Sequence, residues 1–239
     1  MSQRPRVLLI YTGGTIGMVS DPRNGALRAM DLEHLEEQVP ELARIDVELQ
    51  TVAFERPIDS SDMHPADWVH IARIIERSYA DHDGFVVLHG SDTMAYTASA
   101  LSFMLENLAK PVILTGSQLP LNTIRTDGKE NLLTAIEIAA SRENGRPVVA
   151  EVAVYFEYRL FRGNRTLKVH AERFEAFRSP NWPALAEAGV HINYDRQALL
   201  PLRNGPLRGH AGLEGQGGGI RRFPGIRAEW VDHARQAPG

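Results

Sequence analysis

Five consecutive apolar residues at positions 7–11 are followed directly by the sequence Thr-Gly-Gly-Thr-Ile-Gly at positions 12–17. An apolar run of this length that ends at glycines indicates a buried strand with a tight turn after it, and α/β sheets place their chemistry at such turns. The turn has neither the glycine spacing of a dinucleotide site nor the Gly-Lys-Ser/Thr of a P-loop. Thr15 is therefore a candidate nucleophile, and the N–H groups around Gly14 can hold a developing oxyanion. Taken alone, the motif is more often an ordinary glycine turn.

Strand-like and helix-like patterns alternate along the chain. The apolar run 85–88 precedes a helical stripe over 97–108, the run 111–114 precedes a second stripe over 132–140, and further strands are predicted at 47–52 and 148–156. Asp127 and Glu130 have the spacing of a capping box at the start of the second of these helices. The alternation predicts an α/β fold with a doubly wound, mostly parallel sheet and right-handed crossovers.

Polar residues follow four of the predicted strands at the point where each strand ends. In chain order they are Thr15, Ser60 with Ser61, Ser91 with Asp92, and Ser117 with Gln118. A single serine in such a place is usually a helix cap. Because the carboxyl ends of parallel strands share one edge of a sheet, four such turns together predict a small-molecule pocket with hydroxyl nucleophilic chemistry.

Composition excludes several other classes of protein. The chain has 239 residues, 43% of them hydrophobic, a formal net charge of −4 and no cysteine, so it has no disulfide framework and no thiolate metal site. It has no basic run for nucleic acid, no apolar segment long enough for a membrane, and too short an apolar stretch at the N-terminus for a signal peptide. No metal-ligand spacing connects its histidines. We expect a cytoplasmic protein with a small-molecule substrate and neither nucleic-acid nor membrane partners.

Five ordered motifs between about residue 7 and residue 193 resemble those of the bacterial L-asparaginases, and most of all the type I, cytoplasmic asparaginase/glutaminase group. The motifs are Tyr-Thr-Gly-Gly-Thr-Ile-Gly-Met at 11–18, Asp-Ser-Ser-Asp-Met at 59–63, His-Gly-Ser-Asp-Thr-Met-Ala-Tyr-Thr at 89–97, Thr-Gly-Ser-Gln at 115–118, and Arg-Gly-Asn-Arg-Thr at 162–166 with Lys168. Any one of them would be a weak signal, and their order makes the resemblance specific.

The resemblance implies hydrolysis of L-asparagine to L-aspartate and ammonia without a metal or an organic cofactor. Thr15 would attack the amide carbonyl to give a β-aspartyl ester that water then cleaves. A threonine hydroxyl needs a neighbour that removes its proton, and the family supplies a second hydroxyl linked to a carboxylate and a lysine, here Ser91, Asp92 and Lys168.

Substrate contacts follow from the same resemblance. Asp92 would hold the α-ammonium of the amino acid, and Ser60, with Ser61 beside it, the α-carboxylate; Gly14 and Ser117 complete the predicted substrate site. L-Glutamine stays an alternative substrate, since one methylene is worth only about 1–3 kcal/mol of discrimination. Members of the family are homo-oligomers in which a neighbouring subunit completes each site.

Three residues depart from the family pattern. Ser91 stands where the family has threonine, which keeps the hydroxyl and loses a methyl group that fixes its rotamer. Ala26 stands in the lid region, 19–30, where the family has a tyrosine that assists the nucleophile. Leu167 stands where some type I enzymes have a threonine of a regulatory asparagine site.

The C-terminal part of the sequence departs most. We predict an asparaginase-like α/β domain at 1–193, a Gly/Pro/Arg-rich linker at 194–219, and a truncated remnant of a second α/β domain at 220–239. The alternative to an active hydrolase is therefore a catalytically impaired remnant that binds an amino acid or a partner chain. A subunit of a tRNA-dependent amidotransferase ranks lower, because it needs a further N-terminal domain.

Overall fold

The computed structural model describes residues 4–20, 23, 27–29 and 35–210, and its main feature is a single eight-stranded sheet. From one edge to the other, the strands are β15 (Ile192–Tyr194), β14 (Ala186–Ala188), β11 (Arg159–Arg162), β10 (Val152–Phe156), β7 (Val112–Thr115), β5 (Gly84–Leu88), β1 (Arg6–Gly13) and β4 (Glu48–Ile58). The five strands from β10 to β4 are parallel, and β11, β14 and β15 add antiparallel pairs. The predicted α/β fold with a mostly parallel sheet is confirmed.

The helices and short strands connect the sheet. The helices are α1 (Leu35–Gln38), α2 (Pro65–Ser78), α3 (Met94–Met104) and α4 (Gly128–Ala140). Four two-stranded ladders pair β2 (Met18–Ser20) with β3 (Leu27–Ala29), β6 (Leu105–Glu106) with β16 (Arg208–Gly209), β8 (Arg142–Glu143) with β9 (Arg146–Pro147), and β12 (Leu167–Lys168) with β13 (Phe177–Arg178).

Both faces of the sheet are covered, because successive residues of a strand point to opposite faces. One face of β1 and β5 contributes Leu9 and Val86 to a core that α4 closes. The other face contributes Leu8 and Val87 to a second core closed by α2 and α3. The fully apolar strands that the sequence shows at 7–11 and 85–88 are thus buried on both sides.

The register of the central strands brings three turns together. Tyr11 of β1 pairs with Leu88 of β5, and Leu88 pairs with Thr115 of β7. The three strands therefore end in one row, and the turns that follow them lie side by side at the carboxyl edge, as the sequence predicts.

Three local predictions differ from the structure. The helix predicted from the stripe over 97–108 ends at Met104, and Leu105–Glu106 forms β6 instead. The predicted strand at 148–156 begins only at Val152. The capping box is wrong: the Asp127 side chain caps no N–H of α4 and accepts hydrogen bonds from the main chain before the helix, while Glu130 accepts from Tyr155 Oη at 2.5 Å and Thr134 Oγ1 at 2.8 Å.

Several predictions concern residues that the structure describes only in part or not at all. Most of the lid region, with Ala26, and the remnant at 220–239 lie outside the described residues. Within the predicted linker, the N–H of Leu200 donates to Glu151 at 2.8 Å, and β16 pairs with β6. The division into 1–193, 194–219 and 220–239 stays a prediction.

Candidate active site

The turn after β1 is built from main-chain contacts. Gly14 has φ +86°, a conformation that suits glycine, and a Cβ there would lie 2.5 Å from Gly90 Cα in the turn after β5. The two turns therefore touch backbone to backbone. Thr15 opens a single 3-10 turn that ends at Gly17 and is half-buried.

A tyrosine below this turn keeps it in place. Tyr11 Oη donates to Gly17 O at 3.0 Å, and its ring occupies the space that a Cβ at Gly17 would need. Burial raises the pKa of Tyr11 to about 12, so the phenol keeps its proton and remains a donor. The Thr15 turn is thus fixed on one side by Gly90 and on the other by Tyr11.

Three of the predicted catalytic residues meet in one cluster. Lys168 Nζ donates to Ser91 Oγ at 2.9 Å and to Asp92 Oδ1 at 2.6 Å. The Lys168 side chain is 14% exposed and that of Asp92 is 63% exposed, so the cluster lies at the surface of a pocket with its carboxylate facing outward. We call Ser91, Asp92, Lys168 and the adjoining Gln118 the lysine cluster.

The packing of Gly163 against α3 positions Lys168, which is distant in sequence from the other members of the cluster. Gly163 lies so close to α3 that a Cβ there would be 3.0 Å from Ala98 O and 2.9 Å from Ser102 Oγ. The segment that leaves Gly163 then forms β12, which ends at Lys168 near the first turn of α3. The glycine of the fifth sequence motif is therefore needed for close packing.

Gln118 connects the lysine cluster to two other segments. Ser91 Oγ donates to Gln118 Oε1 at 3.1 Å, and Gln118 Nε2 donates to the carbonyls of Ala171 at 2.7 Å and Arg173 at 3.0 Å. The sequence places Gln118 at a strand end but gives no reason to assign it this contact. Only its place in the motif at 115–118 signalled it.

The predicted substrate-binding serines lie in different surroundings. Ser60 is buried against Gly90, and its carbonyl accepts from Thr93 Oγ1 at 2.6 Å. Ser61 is exposed and donates to Asp59 Oδ1 from its hydroxyl at 2.9 Å and from its N–H at 3.0 Å. These two hydrogen bonds lower the pKa of Asp59. The structure thus brings Ser60 to the Thr15 turn and joins the hydroxyl of Ser61 to Asp59.

The turn after β7 is braced from below. Ser117 is buried, and its hydroxyl donates to Leu119 O at 2.6 Å. The Asp127 carboxylate accepts from Gln118 N at 2.9 Å and from Leu119 N at 3.1 Å, while its burial raises the pKa of Asp127. The role of Ser117 toward a substrate stays a prediction.

The turn after β5 is held by a buried histidine. His89 Nδ1 lies 2.7 Å from Gly90 O, a carbonyl that can only accept, so Nδ1 carries the proton. Burial lowers the pKa of His89 to about 4, so the ring is neutral and Nε2 accepts from Thr97 Oγ1 at 2.8 Å. Trp68 Nε1 donates to the same Thr97 oxygen at 2.9 Å. His89 is a structural part of the Gly90 turn.

The Thr15 turn lies next to the turn that carries Ser91, without a direct hydrogen bond from Thr15 to the lysine cluster among the described residues. Within the described part of the chain, no hydrogen bond joins Thr15 to Ser91, Asp92 or Lys168. A groove of about 480 Å³ opens beside Asp92 and Lys168, on the side of Tyr96 and Leu167, and Thr15 is not among its lining residues. No group of three or more His, Cys, Asp or Glu residues in the described ranges could hold a metal ion.

The carboxyl edge of the parallel sheet thus holds the glycine turn that bears Thr15 and, next to it, a hydroxyl, a lysine and a carboxylate. Residues 6–200 match the family model described as "Asparaginase, N-terminal". The chain belongs to the asparaginase family of amidohydrolases.

Individual relatives agree with this assignment. The chain is 46% identical over 237 residues to L-asparaginase 1 of Escherichia coli K12, with 99% of this chain and 69% of that protein covered. It is 43% identical to the 60 kDa lysophospholipase of Mus musculus, covering all of this chain and 45% of that protein. Among solved structures, L-asparaginase I from Vibrio cholerae matches with a TM-score of 0.86 at 42% identity, over 98% of this chain and 70% of that one. The predicted likeness to type I enzymes is confirmed.

A search of the described helices for a membrane-crossing segment found none of sufficient length and apolar character.

Proposed function

We propose that the protein hydrolyses L-asparagine to L-aspartate and ammonia, with Thr15 as the nucleophile. The observation that carries this proposal is the contact of Lys168 with both Ser91 and Asp92, next to the turn that bears Thr15. The chain that contains this cluster is 46% identical to an L-asparaginase. L-Glutamine is the second substrate to consider.

In the first step, Thr15 Oγ bonds to the side-chain carbonyl carbon of asparagine. Its proton passes to the lone pair of Lys168 Nζ, which hydrogen bonds to Ser91 and Asp92 hold in place, and from Nζ to the departing nitrogen. The C–N bond breaks, ammonia leaves with the proton, and a β-aspartyl ester of Thr15 remains. Water then adds to the ester and releases aspartate, so that each turnover consumes one water and returns Thr15 to its starting form.

Substrate binding uses both signs of the amino acid. Asp92 gives one carboxylate oxygen to Lys168, and its exposed side chain can offer the other oxygen to the α-ammonium. Ser60 and Ser61 are the proposed partners of the α-carboxylate, and Gly14 and Ser117 form the wall near the reacting amide. A developing oxyanion would be stabilised by N–H groups of the Gly14 turn.

The proposal also includes the wider setting of the enzyme. We assign it to the cytoplasm, without a metal or an organic cofactor. A homo-oligomer is the expectation for the family, and Leu167 would stand where some type I enzymes have a threonine of a regulatory asparagine site. The domain division at 193 and 219 belongs to the same proposal.

A catalytically impaired protein that binds an amino acid or a partner chain is the second candidate. Two observations favour it: Thr15 has no hydrogen bond to the lysine cluster in the described part of the chain, and Tyr96 and Leu167 beside the groove are 65% and 51% exposed. Large apolar side chains next to a site are typical of a surface that another protein covers.

Ammonia release from L-asparagine and L-glutamine by the purified chain tests the proposal. Thr15→Ala deletes the covalent step and should lower the rate by at least about two to three orders of magnitude. Thr51→Ala, which changes an exposed threonine on β4, is the matched control and should behave as the parent. Parental turnover by Thr15→Ala would overturn the assignment, and binding without turnover by the parent would favour the second candidate.

A further inference from the structure

The orientation of the Gln118 amide follows from its neighbours. Its Nε2 lies 2.7 Å from Ala171 O and 3.0 Å from Arg173 O, two carbonyls that can only accept. The nitrogen must therefore face these carbonyls, and Oε1 must face Ser91. Since Oε1 can only accept, the Ser91 hydroxyl donates to it, at 3.1 Å.

This contact decides what Ser91 can offer to the other side. A serine hydroxyl has one proton and two lone pairs, and the proton is directed at Gln118. Toward Lys168 the oxygen presents a lone pair, which accepts from Nζ at 2.9 Å. The second lone pair is left for a group inside the pocket. Ser91 is thus held as a hydrogen-bond acceptor on its catalytic side.

We propose that Gln118 is a positioning residue that fixes the Ser91 hydroxyl as an acceptor toward the reacting atoms. The proposal rests on the hydrolase function proposed above and adds a residue to its machinery. Serine lacks the γ-methyl group that restricts the rotamer of threonine, so the side chain of Ser91 has no steric stop of its own. The hydrogen bond to Gln118 supplies that restriction.

Gln118 is itself held on both sides. Its main-chain N–H donates to the buried carboxylate of Asp127, at 2.9 Å to Oδ2 and 3.1 Å to Oδ1. Its side-chain amide donates to the carbonyls of Ala171 and Arg173, which follow Lys168 closely in the chain. Gln118 thereby joins the turn after β7 to the segment that carries Lys168. Loss of its amide should therefore free the Ser91 hydroxyl and loosen the position of Lys168.

Gln118→Leu removes the amide and keeps a side chain of similar size. We expect kcat for L-asparagine to fall by about ten- to a hundredfold, with KM within about twofold of the parent, because binding groups stay and proton transfer suffers. Gln197→Leu, at an exposed glutamine, is the matched control and should change neither constant. Adding Ser91→Thr to Gln118→Leu restores a rotamer restriction and should recover at least about threefold of the lost kcat. A purely structural role of Gln118 would not give this rescue.

A second measurement does not depend on turnover. The chain has three lysines, Lys110, Lys129 and Lys168, so NMR of protein labelled with ¹³C at the lysine ε-carbon gives three resolvable groups of signals. A fixed ammonium keeps the two Hε shifts of its methylene distinct. In Gln118→Leu, the two Lys168 shifts should merge, while those of Lys110, which is bound to His82 O at 2.6 Å, should stay as in the parent.

The outcomes separate the two proposals. Parental kcat and distinct Lys168 shifts in Gln118→Leu would overturn the positioning role, while ammonia release that Thr15→Ala abolishes would still support the proposed function. If the parent releases no ammonia, the proposed function fails, and the Lys168 shifts alone decide whether Gln118 fixes the cluster.

Discussion

Two adjacent parts of the site are held together in opposite ways. The Thr15 turn depends on main-chain packing, with Gly14 pressed against Gly90 at a positive φ. The lysine cluster depends on side-chain hydrogen bonds, and its carboxylate, Asp92, is largely exposed. In the packed turn, a larger side chain cannot be accommodated unless the backbone moves. In the lysine cluster, each hydrogen bond can be removed by a single side-chain substitution.

This difference separates stability from rate. A change in the packed turn has to move the backbone, so it should act on folding before it acts on chemistry. A change in the lysine cluster removes a hydrogen bond near the surface, so it should act on proton transfer and leave the fold intact. Three substitutions or conditions probe this comparison.

The largest effect should come from Gly14→Ala. The new methyl group would meet the Gly90 backbone in a conformation that also disfavours a side chain, and we expect a loss of at least about 3 kcal/mol of unfolding free energy. Gly145→Ala is the matched control, because Gly145 has φ +77° with no atom within 4 Å of the added methyl group, and it should cost only about 1–2 kcal/mol. Urea denaturation measures both, and equal losses would remove the packing argument.

Ser91 should show the opposite behaviour. Ser91→Ala deletes the acceptor beside Lys168 and should lower ammonia release by about a hundredfold or more, with a change in unfolding free energy of at most about 1–2 kcal/mol. Ser91→Thr keeps the hydroxyl, so its rate should equal or exceed that of the parent. Steady-state kinetics and urea titration of the same preparations test the pair; a parental rate in Ser91→Ala would remove Ser91 from the proton path.

The pH dependence of the unfolding free energy should test how the packed part of the site is held, because His89 braces the Gly90 turn. His89 has a pKa of about 4 in the folded chain, below its ordinary value of 6.5, so the unfolded chain binds more protons between these values. The stabilisation is complete above pH 6.5 and is lost as the pH falls toward 4, and His89 alone should remove about 2 kcal/mol between pH 7 and pH 5.

Urea titrations of the parent and of His89→Gln at the two pH values measure this contribution. The variant, which has no ring to protonate, should lose less stability on acidification than the parent. Equal losses would show that carboxylates and other histidines account for the acid sensitivity, and that His89 does not brace the Gly90 turn through its neutral form.

The sequence predicts most of the residues that lie at the carboxyl edge of the sheet, but few of the contacts between residues distant in sequence. Apolar runs that end in glycine or serine place Thr15 and Ser91 at strand ends, since a parallel sheet aligns those ends without further information. Lys168 has no such local signal, because its position depends on the packing of Gly163 against α3. Only resemblance to a family places it in the site.

The errors have a physical cause as well. A carboxylate at Asp127 can serve either the helix that follows or the turn that precedes it, and spacing alone favours the helix. The structure shows the turn as its partner: the N–H groups of Gln118 and Leu119, in a half-buried turn, both donate to the Asp127 carboxylate. The contact between Ser91 and Gln118 joins two turns 27 residues apart, and local patterns do not predict such a pair.

The long loop between the two halves of the lysine cluster has a consequence for how the protein is made. Ser91 and Lys168 are 77 residues apart in the chain, and the close contact of Gly163 with α3 positions the segment that carries Lys168. A ribosome extends the chain at about 5–20 residues per second, so the Thr15 turn is synthesised roughly 8–30 seconds before Lys168. Because contacts between distant residues form slowly, the cluster should be among the last parts of the site to assemble. The nascent chain would thus contain Thr15, Ser91 and Asp92 before it contains the lysine that completes their cluster.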